Sequence, residues 1–95
     1  MRKFEFTEQE DLLHIRHAAK IYFRIKNTTR EPRYKSVTED TIEVIVDPET
    51  ILVVSAIGDD VYCHFRNAQS GKRSVNFSNP ALAVVSYKRG ISYAI

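Results

Sequence analysis

The sequence predicts an α+β domain: an N-terminal amphipathic helix packed on an antiparallel meander of four to five strands, with a short helix near the C-terminus. Three features favour this fold. Apolar residues recur at helical spacing in residues 7–26, later runs alternate with the period of a strand, and residues 51–57 are apolar on both alternating faces. Such a strand is buried on two sides. We expect the first helix to cover one face, and residues 82–87 or a second subunit to cover the other.

Length and composition indicate one domain that spans residues 1–95. A chain of about 100 residues forms around a single core, and 43% hydrophobic with 27% charged residues is typical of a soluble globular protein. A chain this short buries only about 60% of its unfolded surface, so its core is thin. A homodimer interface is therefore an open alternative as a source of extra stability.

Charge and cysteine content narrow the classes of partner. Fourteen Lys and Arg against twelve Asp and Glu leave a net charge of +2, which is too small for a protein that coats nucleic acid. The single cysteine, Cys63, cannot form an internal disulfide, and this favours a reducing, cytoplasmic compartment. The first residues lack a signal-peptide pattern and no apolar run is long enough to span a membrane, so we expect no membrane partner.

The first predicted helix begins at a capping box. Thr7 and Glu10 have the spacing at which a hydroxyl and a carboxylate each accept a hydrogen bond from a backbone N–H group. The helix is predicted to run from about Thr7 to Lys26, with a wide apolar arc facing the sheet. Residues 2–6 alternate ahead of it and predict a short strand or an extended arm.

The middle of the chain predicts a connector and then a meander. Residues 27–40 are polar, and Pro32 cannot continue a helix, so we expect a connector with a short extended piece at residues 33–37. The alternating runs that follow predict four antiparallel strands, the last with Val75 and Phe77 pointing inward. These strands are expected at residues 41–46, 51–57, 61–67 and 73–78.

Residues 80–89 predict the C-terminal helix. Asn79 supplies a cap, Pro80 suits the first helical position, and Gly90 suits the end of the helix. Two valines in this segment are weak helix formers, so a fifth strand is the alternative. Residues 91–95 alternate and predict a terminal strand.

Two groups of polar and basic residues are candidates for binding a partner. One lies on the polar side of the first helix, where basic residues four positions apart can follow the phosphates of a nucleic acid. The other surrounds the loop at Gly71, since a basic hairpin can clamp a partner's backbone. A solvated helix face, and charged hairpin ends that prevent edge pairing, explain the same residues without a partner. The candidates are Arg16, His17, Lys20, Arg24, Tyr62, His64, Arg66, Lys72 and Arg73.

The sequence predicts no catalytic, cofactor or metal site. His14 and His17 lie three positions apart, but neither a Cys-x-x-Cys nor a His-Glu-x-x-His spacing accompanies them. Acidic and basic residues are separated along the chain, and the apolar arc of the first helix is wider than one sheet requires. This combination favours a specific protein partner.

We therefore expect a small non-enzymatic binding protein that occupies a macromolecular partner's surface. Its size suits an inhibitor or regulator of nucleic-acid-handling machinery, of the kind that phages and mobile elements encode. Direct nucleic-acid binding through the basic helix face and the basic hairpin is the alternative. A third alternative is metal-independent RNA cleavage by Tyr62, His64, Arg66 and Lys72. Small ribonuclease toxins carry such a set on a curved antiparallel sheet after N-terminal helices, and the chain is similar to them in size and coarse order of elements.

Overall fold

A computed structural model describes residues 13–95. Their elements follow in the order α1 (Leu13–Lys26), β1 (Arg33–Val37), β2 (Thr41–Asp47), β3 (Thr50–Ile57), β4 (Asp60–Asn67) and α2 (Pro80–Arg89). The predicted α+β fold is confirmed, including a helix rather than a strand at residues 80–89. The predicted arm at residues 2–6 and the capping box of Thr7 and Glu10 lie outside the described residues.

The four strands form one antiparallel sheet in chain order, β1-β2-β3-β4. β3 has a paired strand on each side, and its residues 51–54 are buried on both faces. Gly58 is the first residue of the two-residue loop that joins β3 and β4, and its φ is +61°. Glycine adopts this angle without the steric cost that a side chain adds, and it suits the first position of a type II′ turn.

Both helices pack on the same face of the sheet. α1 contributes Ile15, Ala18 and Ile21 to one buried core, and α2 contributes Ala83 and Val84. The sheet contributes Ile42, Val44, Val46, Leu52, Val54, Cys63 and Phe65. The described residues therefore form two layers, with the helices over one face of the sheet.

The position of α2 corrects one expectation. Residues 82–87 do not cover the second face of β3, because the buried residues Ala83 and Val84 belong to the core that α1 also covers. Leu82 and Val85, which point away from that core, are exposed. The apolar stripe of α2 is thus narrow and one-sided, and it packs against α1 and β4. No helix of residues 13–95 lies over the second face of β3.

Local signals explain where α2 begins and ends. Asn79 Oδ1 accepts a hydrogen bond from the backbone N–H of Ala81 at 2.8 Å, which satisfies one unpaired donor of the first turn. Pro80 stands in that turn, where its missing N–H has no cost. Gly90 ends the helix with a φ of +103°, and its N–H donates to the carbonyl of Tyr87.

A side-chain hydrogen bond ties α2 to the last residue of β2. The Tyr87 hydroxyl donates to Asp47 Oδ2 at 2.5 Å. Burial opposes ionisation of Asp47, but the hydrogen bonds from Tyr87 and from the backbone of Glu49 outweigh it and lower the pKa of this carboxyl. Asp47 therefore remains a charged acceptor at neutral pH and holds the helix at the end of the sheet.

Strand membership differs from the prediction at both edges of the sheet. Residues 33–37, expected as a short extended piece of a connector, form the edge strand β1, whose pairing with β2 is interrupted by a bulge between Tyr34 and Ser36. Residues 73–78 run antiparallel beside β4 but make only isolated bridges. Ile95 exchanges two backbone hydrogen bonds with Arg73, at 2.9 and 3.0 Å, and residues 91–95 form no regular strand.

Candidate functional site on the helix-free face

The second face of the sheet, which no helix of residues 13–95 covers, is named here the helix-free face. Side chains on it alternate along each strand with those of the core. Three of the predicted binding residues on β4 point to this face. The cross-strand pairs there are Ile51 with Arg66, Val53 with His64, and Ser55 with Tyr62.

An ion pair crosses the central strand on the helix-free face. Arg66 Nη1 and Nη2 donate to Glu43 Oε2 and Oε1, each at 3.0 Å. Glu43 lies on β2 beside Val53, and Arg66 lies on β4 beside Ile51, so their side chains meet over β3. Ile51 and Val53 are only 4% and 5% exposed. The ion pair and the alkyl parts of its two side chains thus cover Ile51 and Val53 on this face of β3, whose other face packs against a helix.

Replacing Glu43 with Gln is expected to destabilise the protein by about 1 kcal/mol at neutral pH. The Arg66 and Glu43 side chains are 30% and 22% exposed, so solvent screens part of their attraction. The hydrogen bond from Arg66 is the main cause that holds the pKa of Glu43 below its ordinary value of 4.5. Because the folded-state pKa is depressed, this stabilisation is present above about pH 4.5 and is lost as the pH falls further.

Urea unfolding of the parent and of Glu43→Gln, at neutral pH and at about pH 3, measures this contribution. The difference between the two proteins should shrink in acid, because Glu43 takes up a proton in the unfolded chain at a higher pH than in the folded protein. Glu39→Gln is the matched control, since Glu39 is exposed and a change there is expected to stay within about 0.5 kcal/mol. A stability difference for Glu43→Gln that persists undiminished in acid contradicts an ionic origin.

An irregular segment beside β4 changes the alternation at the edge of the sheet. Bridges pair Cys63 with Phe77 and Arg66 with Arg73. Between these bridges, residues 64–65 of β4 therefore lie opposite residues 74–76 of the neighbouring segment. One extra residue of this kind is a β-bulge, which bends the chain and re-aims its side chains. The bulge decides which residues of this segment reach the helix-free face.

The bulge also corrects the prediction that Val75 points inward. Ser74 is the buried residue, and Val75 is 54% exposed. Ser74 Oγ accepts a hydrogen bond from the backbone N–H of Phe65 at 3.0 Å and donates to the carbonyl of Val75 at 2.9 Å. Phe77 resumes the inward direction and packs edge-on against Phe65. Ser74 thus fastens the bulge to β4.

An open depression of about 490 Å³ lies on the helix-free face beside the bulge. Its lining is Ser55, Ile57, Tyr62, His64, Arg73 and Asn76. Five of these six side chains carry hydrogen-bond donors, and none is a carboxylate. Within residues 13–95, no carboxylate lies at ion-pair distance from Arg73. The depression therefore suits a group that is rich in hydrogen-bond acceptors or negatively charged.

His64 is the titratable group of the depression near neutral pH. Burial is the main cause that lowers its pKa, and the charges of Arg73 and Arg66 lower it further. A contact with the Asn76 side chain and the carboxylate of Glu43 act in the opposite direction. The net effect favours the neutral imidazole, in which one ring nitrogen donates a hydrogen bond and the other accepts one.

The nine predicted binding residues lie on two different layers of the protein. The helix layer carries Arg16, His17, Lys20 and Arg24, and the sheet layer carries Tyr62, His64, Arg66, Lys72 and Arg73. α1 packs on the core face of the sheet, so its basic side chains and those of the helix-free face do not form one continuous surface. Within the sheet layer, Arg66 is held by its ion pair and Lys72 does not line the depression.

Sequence reasoning missed four residues of this face: Ser55, Ile57, Asn76 and Glu43. Ser55 and Ile57 stand at the end of an apolar run, where Ser55 is the one polar residue and signals that the face opens to solvent. Glu43 alternates outward on β2, but its partner is 23 positions away. The placement of Asn76 depends on the bulge, for which the local sequence holds no signal.

Other kinds of site have little support among the described residues. No group of three or more metal-ligating side chains comes together within residues 13–95. Burial raises the pKa of the Cys63 thiol to about 11, so it stays protonated and acts as a small core residue. In the described part of the chain, neither helix has the length and apolarity to cross a membrane.

Comparison with protein-family models, curated proteins and solved structures gave no significant match to this chain. The function proposed below is therefore based on the geometry and the charges of the helix-free face.

Proposed function

We propose that the protein is a small non-enzymatic binding protein that occupies the surface of a macromolecular partner with its helix-free face. The observation that carries this proposal is the donor-lined depression with Tyr62, His64 and Arg73. The depression is open, whereas a small-molecule site encloses most of its ligand. It therefore fits a protruding group on a larger partner, and its donors select a group rich in acceptors.

The residues around the depression have the composition of a binding surface. Tyrosine and arginine are enriched at the centres of protein interfaces and among the residues that dominate binding energy. Ile57 lines the depression and is 63% exposed. A partner that covers the depression buries this side chain, which adds an apolar contribution to the polar contacts.

The charge of the helix-free face favours a negatively charged partner. The strand register places three basic side chains and two carboxylates on this face: Arg33, Arg66 and Arg73 against Glu43 and Asp60. Lys35, at the bulge of β1, adds a positive charge that acts on Glu43, so positive charges exceed negative ones by two. Charge complementarity of this kind steers association and selects the partner. If the negatively charged partner is a component of nucleic-acid-handling machinery, a protein of this size that covers its surface would inhibit or regulate that machinery.

Affinity capture from an extract of the source cells, with and without nuclease treatment, tests the proposal. We expect a stoichiometric partner that Arg73→Glu no longer retains. Arg24→Glu is the matched control, because it makes the same charge change on the outer side of α1. Equal recovery by both variants, or loss of the partner only with Arg24→Glu, assigns binding to another surface and overturns the proposal.

A metal-independent ribonuclease is a second candidate, because a neutral His64 lies beside Arg73 in a depression open to a phosphate. Of the other residues predicted for this activity, Tyr62 lines the depression, Arg66 is engaged in its ion pair, and Lys72 does not line the depression. The expected result is RNA cleavage in EDTA that His64→Ala abolishes. RNA that stays intact with the parent protein removes this candidate.

A further inference from the structure

We propose that the depression binds a backbone phosphate of a single-stranded nucleic acid, with the Arg73 guanidinium as the main contact. The inference rests on the proposed function and identifies the chemical class of the partner. It places one phosphate between β4 and the bulge, where donors from three segments of the chain come together.

The donor set matches a phosphate better than it matches an uncharged group. A phosphodiester presents two non-bridging oxygens that accept several hydrogen bonds at once, and the planar fork of arginine binds two oxygens together. Arg66 does not line the depression, and its charge is offset by Glu43, to which both of its terminal nitrogens donate at 3.0 Å. Arg73 lacks such a partner among the described residues. Ser55 and Asn76 add neutral donors around the same space.

The surroundings of the depression favour a nucleic acid over an acidic protein segment. The Tyr62 ring and the exposed Ile57 side chain border the donors on an open sheet face. Single strands bind to such faces with unstacked bases on aromatic side chains and phosphates against basic ones. A duplex offers no free base face to Tyr62. The combination of an arginine, an aromatic ring and a surrounding donor set therefore points to a single strand.

Fluorescence anisotropy with a labelled single-stranded RNA of about 10 nucleotides tests the inference. Arg73→Ala is expected to weaken binding about tenfold, as the loss of one charge-assisted contact does. The slope of log affinity against log salt concentration should fall by about 0.7, the value for one phosphate contact on a single strand. Arg89→Ala is the matched control and should leave the affinity within about twofold, because Arg89 is exposed at the end of α2, which lies on the other layer.

A second readout separates a direct role of His64 from a structural one. A bound phosphate favours the protonated imidazole. In the free protein, burial and the charges of Arg73 and Arg66 disfavour that form, and Asn76 and Glu43 favour it. Binding should therefore tighten as the pH falls from about 7.5 to about 5.5. His64→Gln should remove this dependence while its unfolding transition at pH 7.5 stays close to that of the parent. A pH profile that is unchanged in His64→Gln excludes His64 from the site.

The failure of this inference is distinguishable from failure of the proposed function. A poly-glutamate peptide that binds as tightly as the RNA, with the same dependence on Arg73, overturns the phosphate assignment and indicates an acidic protein surface. Absence of RNA binding, together with a nuclease-resistant partner that Arg73→Glu loses, overturns the inference and retains the proposed function. Absence of both kinds of binding removes the two together.

Discussion

Replacing Phe65 with Ala is expected to destabilise the protein by about 3–5 kcal/mol. The Phe65 side chain is fully buried, with 0% exposure. Its ring centroid lies 6.3 Å from that of Phe77 and 5.9 Å from that of Tyr87. Phe65 thus joins the sheet, the segment after the bulge and α2 in one contact. Truncation leaves a cavity at this junction that the three elements cannot all move to fill.

Urea unfolding followed by circular dichroism measures this loss. Domains of this size have total stabilities of about 5–15 kcal/mol, so the Phe65→Ala variant is expected to unfold at a much lower urea concentration. Phe23→Ala on α1 is the matched control, because it removes the same atoms from a half-buried position. If the two substitutions cost the same, Phe65 is not the junction that the packing indicates.

The elements of the fold were predictable where local chemistry decides them. The Asn79 cap, Pro80 and Gly90 predicted α2, and a run apolar on both faces predicted that β3 is buried on two sides. The layer that α2 occupies was not predictable, because it depends on the path of the chain after β4. Residues 73–78 first run along β4, and Ala83 and Val84 then pack in the core that α1 covers.

The candidate site was predictable only in part, for a related reason. Alternation places Tyr62, His64 and Arg66 on one face, and the register between β3 and β4 agrees with this placement. Alternation cannot show that Arg66 is engaged by Glu43 across the intervening strand, since that contact depends on strand order. It also fails at a bulge, where one extra residue exposes Val75. The group on the helix-free face therefore differs from the group that the sequence indicated.

Replacing Ser74 with Ala is expected to cost about 1–3 kcal/mol, a large effect for the loss of one oxygen atom. Ser74 Oγ is the acceptor for the backbone N–H of Phe65, at 3.0 Å, and the site is buried. Alanine fits the space but leaves that N–H without a partner, and an unpaired buried donor bears the full cost of its lost hydration. Ser78→Ala, at an exposed position, is the control and should change stability by less than about 0.5 kcal/mol.

The same substitution tests whether the bulge positions the depression. Ser74 holds residues 74–76 to β4 through its backbone and its side chain, and Arg73 and Asn76 on either side line the depression. Ser74→Ala should therefore speed amide exchange at Phe65 and also weaken binding of the single-stranded RNA, although Ser74 itself is buried away from any ligand. Faster exchange with unchanged binding would show that Arg73 keeps its place without the bulge. Slow exchange at Phe65 in the variant contradicts the role of the Ser74 hydroxyl, because that N–H then has another acceptor.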